Sequence, residues 1–247
     1  MDMRLEDFFR ENRKVALCFS GGVDSAYLFY AGRSFGAEVQ PYYLKTEFQP
    51  AFELDDAKRL AGGLGVSLRI LEMSVLENDL VAQNDSKRCY YCKNSGLGAL
   101  YSLARAEGYD VVIDGTNADD DPSDRPGMRA LGEIGILSPL RMAGLTKQMI
   151  RDRSKEAGLF TWDKPAYACL ATRVPTGTRI DAPTLHKIER SEQALFELGF
   201  SDFRVRVLGG TARLQLREEQ MPKALAMREQ ILERICFDEV LLDLRAR

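Results

Sequence analysis

The stretch Val15-Ala16-Leu17-Cys18-Phe19-Ser20-Gly21-Gly22-Val23-Asp24-Ser25 decides the fold. Val15 to Phe19 is short, apolar and ends at paired glycines, which predicts a buried strand. Gly21 and Gly22 let the backbone turn sharply and present several N–H groups in one direction. A helix starting at about Asp24 and running through Ala26 to Arg33 adds its own unpaired N–H groups and positive dipole end. Such a turn is built for an anion. Ser20 and Ser25 supply hydroxyls, and Asp24 can orient backbone donors or hold a metal ion. Two glycines alone would mark an ordinary strand–turn–helix connection; the complete hexapeptide after a strand is far more specific.

Outward from this stretch, strand and helix alternate. Val39 to Leu44 reads as a second strand, Thr46 to Gly65 as a helix with Leu54, Ala57, Leu60, Ala61 and Leu64 at helical spacing, and Val66 to Met73 as a third strand. A helix over Ala99 to Ala106 precedes a fourth strand, Asp110 to Asp114, which runs into Gly115-Thr116-Asn117. Ile136 to Leu140 reads as a further short strand and Thr146 to Gly158 as a helix. This period predicts an α/β fold, a parallel sheet with helices on both faces. Ligands of such sheets bind beyond the carboxyl ends of the strands. Ser20–Ser25, Lys45-Thr46 and Gly115-Thr116-Asn117 are therefore expected around one crevice. The acidic, proline-rich stretch 118–129 is a solvated loop by composition and a lid or metal contact by position, with Asp119 and Asp120 as its secondary metal candidates.

After about Trp162 the pattern changes. Residues 163–180 have few periodic apolar positions and carry Cys169, as an active-site linker would. Residues 181–247 read as a smaller α+β domain: helix Pro183–Gly199, strands Arg204–Leu208 and Ala212–Arg217 joined at Gly209-Gly210, helix Gln220–Ile235 and strand Val240–Leu244. The expected division is 1–162, 163–180 and 181–247. With 34 Lys and Arg against 37 Asp and Glu the formal net charge is −3, so no overall basic field grips a polyanion. The stretch 165–247 carries 13 bases and 12 acids, which does not suggest a nucleic-acid surface. No apolar run approaches the roughly 20 residues that cross a bilayer, and the first residues are too charged for a signal peptide, so a cytoplasmic location is expected.

Five cysteines, an odd number, argue against a disulfide framework. Cys18 lies inside the first strand and Cys236 ends an apolar helix face, and both read as small hydrophobes. Cys89 and Cys92 form a CxxC within Lys87-Arg88-Cys89-Tyr90-Tyr91-Cys92-Lys93, flanked by bases, surroundings in which thiolates form. Cys169 stands beside bases too, in Lys164-Pro165-Ala166-Tyr167-Ala168-Cys169-Leu170-Ala171-Thr172-Arg173. A redox pair, half a zinc site, unrelated thiols and three ligands of a [4Fe–4S] cluster all fit that set. Zinc would want a fourth ligand, and the single histidine, His186, sits among charges on a helix.

The hexapeptide lacks the Gly-Lys-Ser/Thr ending of a P-loop. It resembles the PP-loop of the ATP pyrophosphatases, an adenine nucleotide alpha-hydrolase-like fold whose members adenylate an oxygen and release pyrophosphate. Together with Lys87–Lys93, Asp114-Gly115-Thr116-Asn117-Ala118-Asp119-Asp120, Asp124-Arg125-Pro126-Gly127, Pro165–Arg173 and Phe203–Val207, the chain resembles the LarE-type sulfur transferases over most of its length. The resemblance implies ATP and Mg²⁺, with Ser20, Gly21, Gly22, Val23, Asp24, Ser25, Thr46, Gly115, Thr116 and Asn117 at the nucleotide. It implies that a carboxylate of pyridinium-3,5-biscarboxylic acid mononucleotide is adenylated and converted to a thiocarboxylate, toward the nickel-pincer nucleotide of lactate racemase. It places Cys169 at the sulfur-donating position. One branch of the family sacrifices that cysteine's own sulfur; Cys89 and Cys92 make this chain resemble the other, in which the three cysteines hold a [4Fe–4S] cluster that relays sulfide. Lys93, Arg173, Arg204 and Arg206 are then expected at the substrate's phosphate and carboxylates, and self-association is expected from the family. A tRNA-thiolating enzyme with the same loop, and a nucleotide- and cluster-binding sensor, are the rival readings.

Overall fold

The computed structural model describes residues 4–120 and 126–247. In chain order its elements are α1 (Leu5–Glu11), β1 (Lys14–Cys18), α2 (Val23–Ser34), β2 (Glu38–Lys45), α3 (Ala51–Gly63), β3 (Arg69–Glu72), α4 (Asp79–Ala82), α5 (Arg88–Ala106) and β4 (Val111–Asp114). There follow α6 (Pro126–Ile134), α7 (Pro139–Met142), α8 (Lys147–Glu156), α9 (Ala182–Glu197), β5 (Arg204–Leu208), β6 (Thr211–Gln215), α10 (Met221–Ala226), α11 (Arg228–Arg234) and β7 (Val240–Leu242). The chain forms two compact units: Met1–Val75 with Cys89–Ala166, and Leu76–Arg88 with Tyr167–Arg247. Among the described residues no helix is long and apolar enough to cross a membrane.

In the first unit the strands pair in parallel in the order β3-β2-β1-β4. The two-residue period of β1 splits the interior. Val15 and Leu17 join the layer containing α1, α2, α3 and α8, whereas Ala16 joins Tyr42, Leu100, Ala104 and Leu131 on the α5 and α6 side. Both faces are thus covered, as a parallel sheet requires. All nucleotide candidates stand at the carboxyl ends of β1, β2 and β4.

Several elements differ from the sequence expectation. The stretch Ile136–Leu140 contributes one bridge, Leu137 to Ile113, because Pro139 opens α7 straight after it. Helix α3 starts at Ala51 instead of Thr46: Pro50 precedes it, and Gln49 Oε1 accepts from Thr46 N and Oγ1 at 2.9 and 2.8 Å. Strand β3 keeps four residues of the eight expected. The helix expected over Ala99 to Ala106 extends back to Arg88, so Cys89 lies on its first turn and Cys92 opens the second. The single helix expected over Gln220–Ile235 is a 3₁₀ turn followed by α10 and α11, broken at Met227.

In the second unit β5 and β6 form the expected hairpin, with Gly209 and Gly210 at φ 57° and 91°, and β7 pairs parallel to β6. Val205, Ala212 and Leu214 face a core shared with Leu195, Phe200 and Ile231. Arg173 and Glu192 are buried and paired bidentately, Nε to Oε1 at 2.8 Å and Nη2 to Oε2 at 3.0 Å. Glu192 Oε1 also accepts from Val205 N at 2.9 Å, so this carboxylate ties the 3₁₀ turn Leu170–Arg173 to the sheet. Glu192→Ala leaves a buried guanidinium uncompensated and is expected to cost about 3–5 kcal/mol, read by denaturant unfolding. A loss below about 1 kcal/mol would mean that Arg173 finds water instead.

Candidate active site

The glycine loop is held shut by its own serines. Ser20 Oγ and Ser25 Oγ lie 3.1 Å apart, Ser25 Oγ donates to Gly22 O at 3.2 Å, and Ser20 N donates to Ser25 Oγ at 3.3 Å. Gly22 precedes α2 without a side-chain cap, so the first-turn N–H groups of this helix remain available to an anion. Gly21 has φ 71° and lies against α3, where a Cβ would meet Glu53 O at 3.2 Å.

The end of β4 packs directly on this loop. A Cβ at Gly115 would stand 2.8 Å from Ser25 N and 3.1 Å from its Cα, both backbone atoms that cannot swing away. Gly115→Ala must therefore shift the loop or the strand. It is expected to cost about 1–3 kcal/mol and to weaken nucleotide binding, measured by thermal melting and titration with ATP. Unchanged affinity would separate Gly115 from the site.

Beyond Gly115 the polar groups form one network. Asn117 Nδ2 donates to Asp24 Oδ1 at 3.4 Å, and Asn117 N donates to Asp120 Oδ2 at 3.1 Å. Lys147 Nζ reaches Asp24 Oδ2 at 2.5 Å, while Lys147 N donates to Asp119 Oδ2 at 2.7 Å. Asp24, Asn117, Asp119, Asp120 and Lys147 are therefore gathered at one place. Lys147 escaped the sequence reading. The signal for it was a lysine opening a predicted helix, where a cation opposes the dipole unless anions surround it. Thr116 Oγ1 and Ser138 Oγ donate to Asp114 at 2.5 and 2.6 Å; burial outweighs these bonds and raises the Asp114 carboxyl above the usual range. Burial, with Asp114 nearby, likewise pushes the Cys18 thiol up, in keeping with a packed, protonated side chain.

A cavity of about 240 Å³ opens beside the loop, bordered by Ser20, Tyr43, Gln49, Cys92 and Lys93. Thr46 is buried and reaches this border through Gln49. The Lys93 stem lies on Gly127, where a Cβ would come within 2.6 Å of Cδ. The part of the expected acidic lid from 121 to 125 lies outside the described residues.

Cys89 is exposed and Cys92 half-buried. In the second unit Cys169 is half-buried, and its carbonyl accepts from Thr172 N at 3.0 Å, Thr172 Oγ1 at 2.9 Å and Arg173 Nη1 at 3.3 Å. Asn84, at φ 57°, bonds Pro175 O and Thr178 O through Nδ2, and Arg88 Nη1 donates to Asn84 Oδ1 at 2.8 Å and Ala171 O at 2.9 Å. The residues just ahead of Cys89 therefore brace the turn that follows Cys169. Among the described residues, no three His, Cys, Asp or Glu side chains form a group that could hold a metal ion.

Of the expected substrate groups, Lys93 belongs to the first unit and the three arginines to the second. Arg173 is engaged by Glu192, Ala168 O and Thr172 Oγ1. Arg204 is buried under the Tyr167 ring with Nη1 on Phe203 O; burial, with Arg173 and Arg247 close by, lowers its pKa to about 10. Arg206 borders a second cavity, of about 340 Å³.

No family profile matches the chain. It is 36% identical over 220 residues to an uncharacterized protein of Synechocystis sp., covering 88% of this chain and 81% of the relative. It is 29% identical over 243 residues to the pyridinium-3,5-bisthiocarboxylic acid mononucleotide synthase of Lactiplantibacillus plantarum, covering 95% of this chain and 87% of that enzyme. A more distant likeness, 24% over 188 residues, links 59% of the chain to the tRNA-specific 2-thiouridylase MnmA of Thermotoga petrophila.

Proposed function

The chain belongs to the LarE-type family of the PP-loop superfamily, and from that premise we propose that it adenylates a carboxylate and replaces one of its oxygens with sulfur. The substrate in this reading is pyridinium-3,5-biscarboxylic acid mononucleotide, the acid corresponding to the bisthiocarboxylic product that names the Lactiplantibacillus relative. The observation that carries the reading is the joining of the uncapped α2 N-terminus to the Asp24–Asn117–Lys147 network at the sheet's carboxyl edge.

A carboxylate is a poor electrophile. Its oxygen first attacks the α-phosphorus of ATP, the bond to the bridging oxygen breaks, and pyrophosphate leaves. The N–H groups of the Gly22–Ser25 turn and the Lys147 ammonium face that departing charge and stabilise it. Asp24 keeps Lys147 in place. The carboxylates of Asp24, Asp119 and Asp120 are hard oxygen donors of the kind Mg²⁺ takes, and the ion would neutralise pyrophosphate there. A sulfur nucleophile then attacks the activated carbonyl carbon, the bond to AMP breaks, and the thiocarboxylate forms.

The sulfur chemistry belongs to Cys89, Cys92 and Cys169. Thiols are the donors an iron–sulfur cluster takes, and on that chemistry alone, since the described residues hold no ready group of three metal-ligating side chains, we propose them as its ligands; when bound, the cluster would supply exchangeable sulfide at the iron that lacks a protein ligand. The chain's own part is to hold Cys169 through Arg173, Thr172 and the Asn84–Arg88 brace. Lys93 and Arg206 are assigned to the substrate's anionic groups, and within the second unit Arg173 and Arg204 are buried against Glu192 and Tyr167. The deciding experiment incubates the anaerobic protein with ATP, Mg²⁺, sulfide and the biscarboxylic mononucleotide. Substrate-dependent pyrophosphate and a product heavier by one S-for-O exchange are expected; pyrophosphate release that ignores the mononucleotide would overturn the reading.

A further inference from the structure

One face of the second sheet carries more positive charge than its neighbours offset. Arg206 on β5 and Arg213 on β6 are direct cross-strand partners on that face. Like charges placed opposite each other weaken a sheet, and here Asp243, ion-paired with Arg213, offsets only one of the two. Arg206 Nε donates to Gln215 Oε1 at 2.5 Å and Nη1 to Thr172 O at 2.6 Å, both neutral acceptors. Arg213 Nε is buried without a hydrogen-bond partner. The Asp243 carboxylate stands 3.6 Å from it, beyond hydrogen-bond reach, and accepts instead from Gln215 Nε2 and Arg245 N. Both arginines border the 340 Å³ cavity with Arg173, whose charge Glu192 already balances.

We propose that Arg206 and Arg213 form a two-arginine clamp for the dianionic phosphate of a mononucleotide, Arg213 being the residue that completes it. The clamp rests on the functional reading above for the nature of its ligand. A phosphate monoester offers three acceptor oxygens and about two negative charges, and a guanidinium meets such oxygens in a fork. An anion in the cavity would relieve the facing charges and meet the exposed part of the Arg213 side chain. The cavity is large enough for a phosphoryl group and part of its nucleotide. Arg206 is independently shifted toward easier deprotonation, first by burial and then by Arg173, Arg213 and Arg247. These are the conditions in which an added anion is welcome. Nothing in the sequence set Arg213 apart from the other bases.

The test titrates the full-length wild type and Arg213→Gln with nicotinic acid mononucleotide, with its nucleoside lacking the phosphate, and with ATP. Affinity for the mononucleotide is expected to fall roughly 10- to 150-fold in the variant. Affinity for ATP and for the nucleoside should be unchanged. Melting supplies the second readout. Inorganic phosphate should raise the Tm of the wild type and not of Arg213→Gln, while without phosphate the variant should melt at the same or a higher temperature, because a facing like charge is gone. A variant that melts lower without phosphate and loses nucleoside and mononucleotide equally would show Arg213 to be structural, overturning the clamp. Unchanged mononucleotide affinity would overturn it as well. Phosphate-dependent binding by a protein that releases no pyrophosphate would support the clamp while counting against the adenylation reading.

Discussion

The Cys169→Ala protein, prepared anaerobically, releases pyrophosphate with ATP and the mononucleotide but forms no thiocarboxylate, a loss of at least on the order of 10³-fold in sulfur transfer. Cys169 precedes a 3₁₀ turn whose backbone and neighbouring arginine hold its carbonyl, so the variant keeps the turn and loses the sulfur alone. Two chemistries lie behind such a result, and chain mass separates them. If Cys169 gives up its own sulfur, each polypeptide turns over once and loses H₂S, about 34 Da, as the residue becomes dehydroalanine. If the three cysteines serve as cluster ligands, chain mass is constant, added sulfide supports repeated turnover, and Cys89→Ala fails as completely as Cys169→Ala. We expect the second outcome, with the iron and acid-labile sulfide of the freshly purified wild type lost in the Cys89 variant. A Cys89→Ala protein that still makes thiocarboxylate while its Cys169 loses sulfur would sink the cluster assignment.

The second large effect belongs to the Asp24–Lys147 pair. Lys147→Ala should lower kcat/KM for pyrophosphate release by about 10²–10³-fold, the range for losing one preorganised group at a developing charge. Asp24→Asn should act similarly, because the amide neither orients the ammonium nor binds a cation. Both side chains are partly exposed and neither belongs to the packed core, so the Tm should move little. Single-turnover pyrophosphate release beside a melting curve is the measurement. Full activity in Lys147→Ala would remove it from the mechanism, and full Mg²⁺-dependent activity in Asp24→Asn would do the same for Asp24.

Much of the first unit was legible because its signals are local. A five-residue apolar run against paired glycines announces strand and turn, and the two-residue period of β1 follows from backbone geometry wherever the strand sits. The hairpin at Gly209-Gly210 was legible for the same reason. The short strands were overextended, because apolar character continues past the point where a sheet neighbour remains to pair with. Ile136–Leu140 ends its pairing after one rung, and Pro139 then commits the chain to a helix.

The site divided along the same line. Sequence alone pointed to an anion-binding turn after β1, to the end of β4 beside it, and to Cys89, Cys92 and Cys169 as distinct from Cys18, which packs against the core of the first sheet, whereas Cys236, expected to end an apolar helix face, lies half-buried beyond the end of α11. Those conclusions depend on residue type, on spacing within a few positions and on the rule that parallel strands deliver their carboxyl ends to one edge. Only the tertiary structure decided that Lys147, 123 positions from Asp24, closes the network around it, and that Arg213 faces Arg206 across a ladder with its Nε unmatched. It likewise decided that residues 76–88 fold with the second unit, where Asn84 and Arg88 brace the Cys169 turn. A lysine or an arginine carries the same charge wherever it stands; which partner it meets depends on strand register and helix packing, and these arise from contacts between residues far apart in the chain.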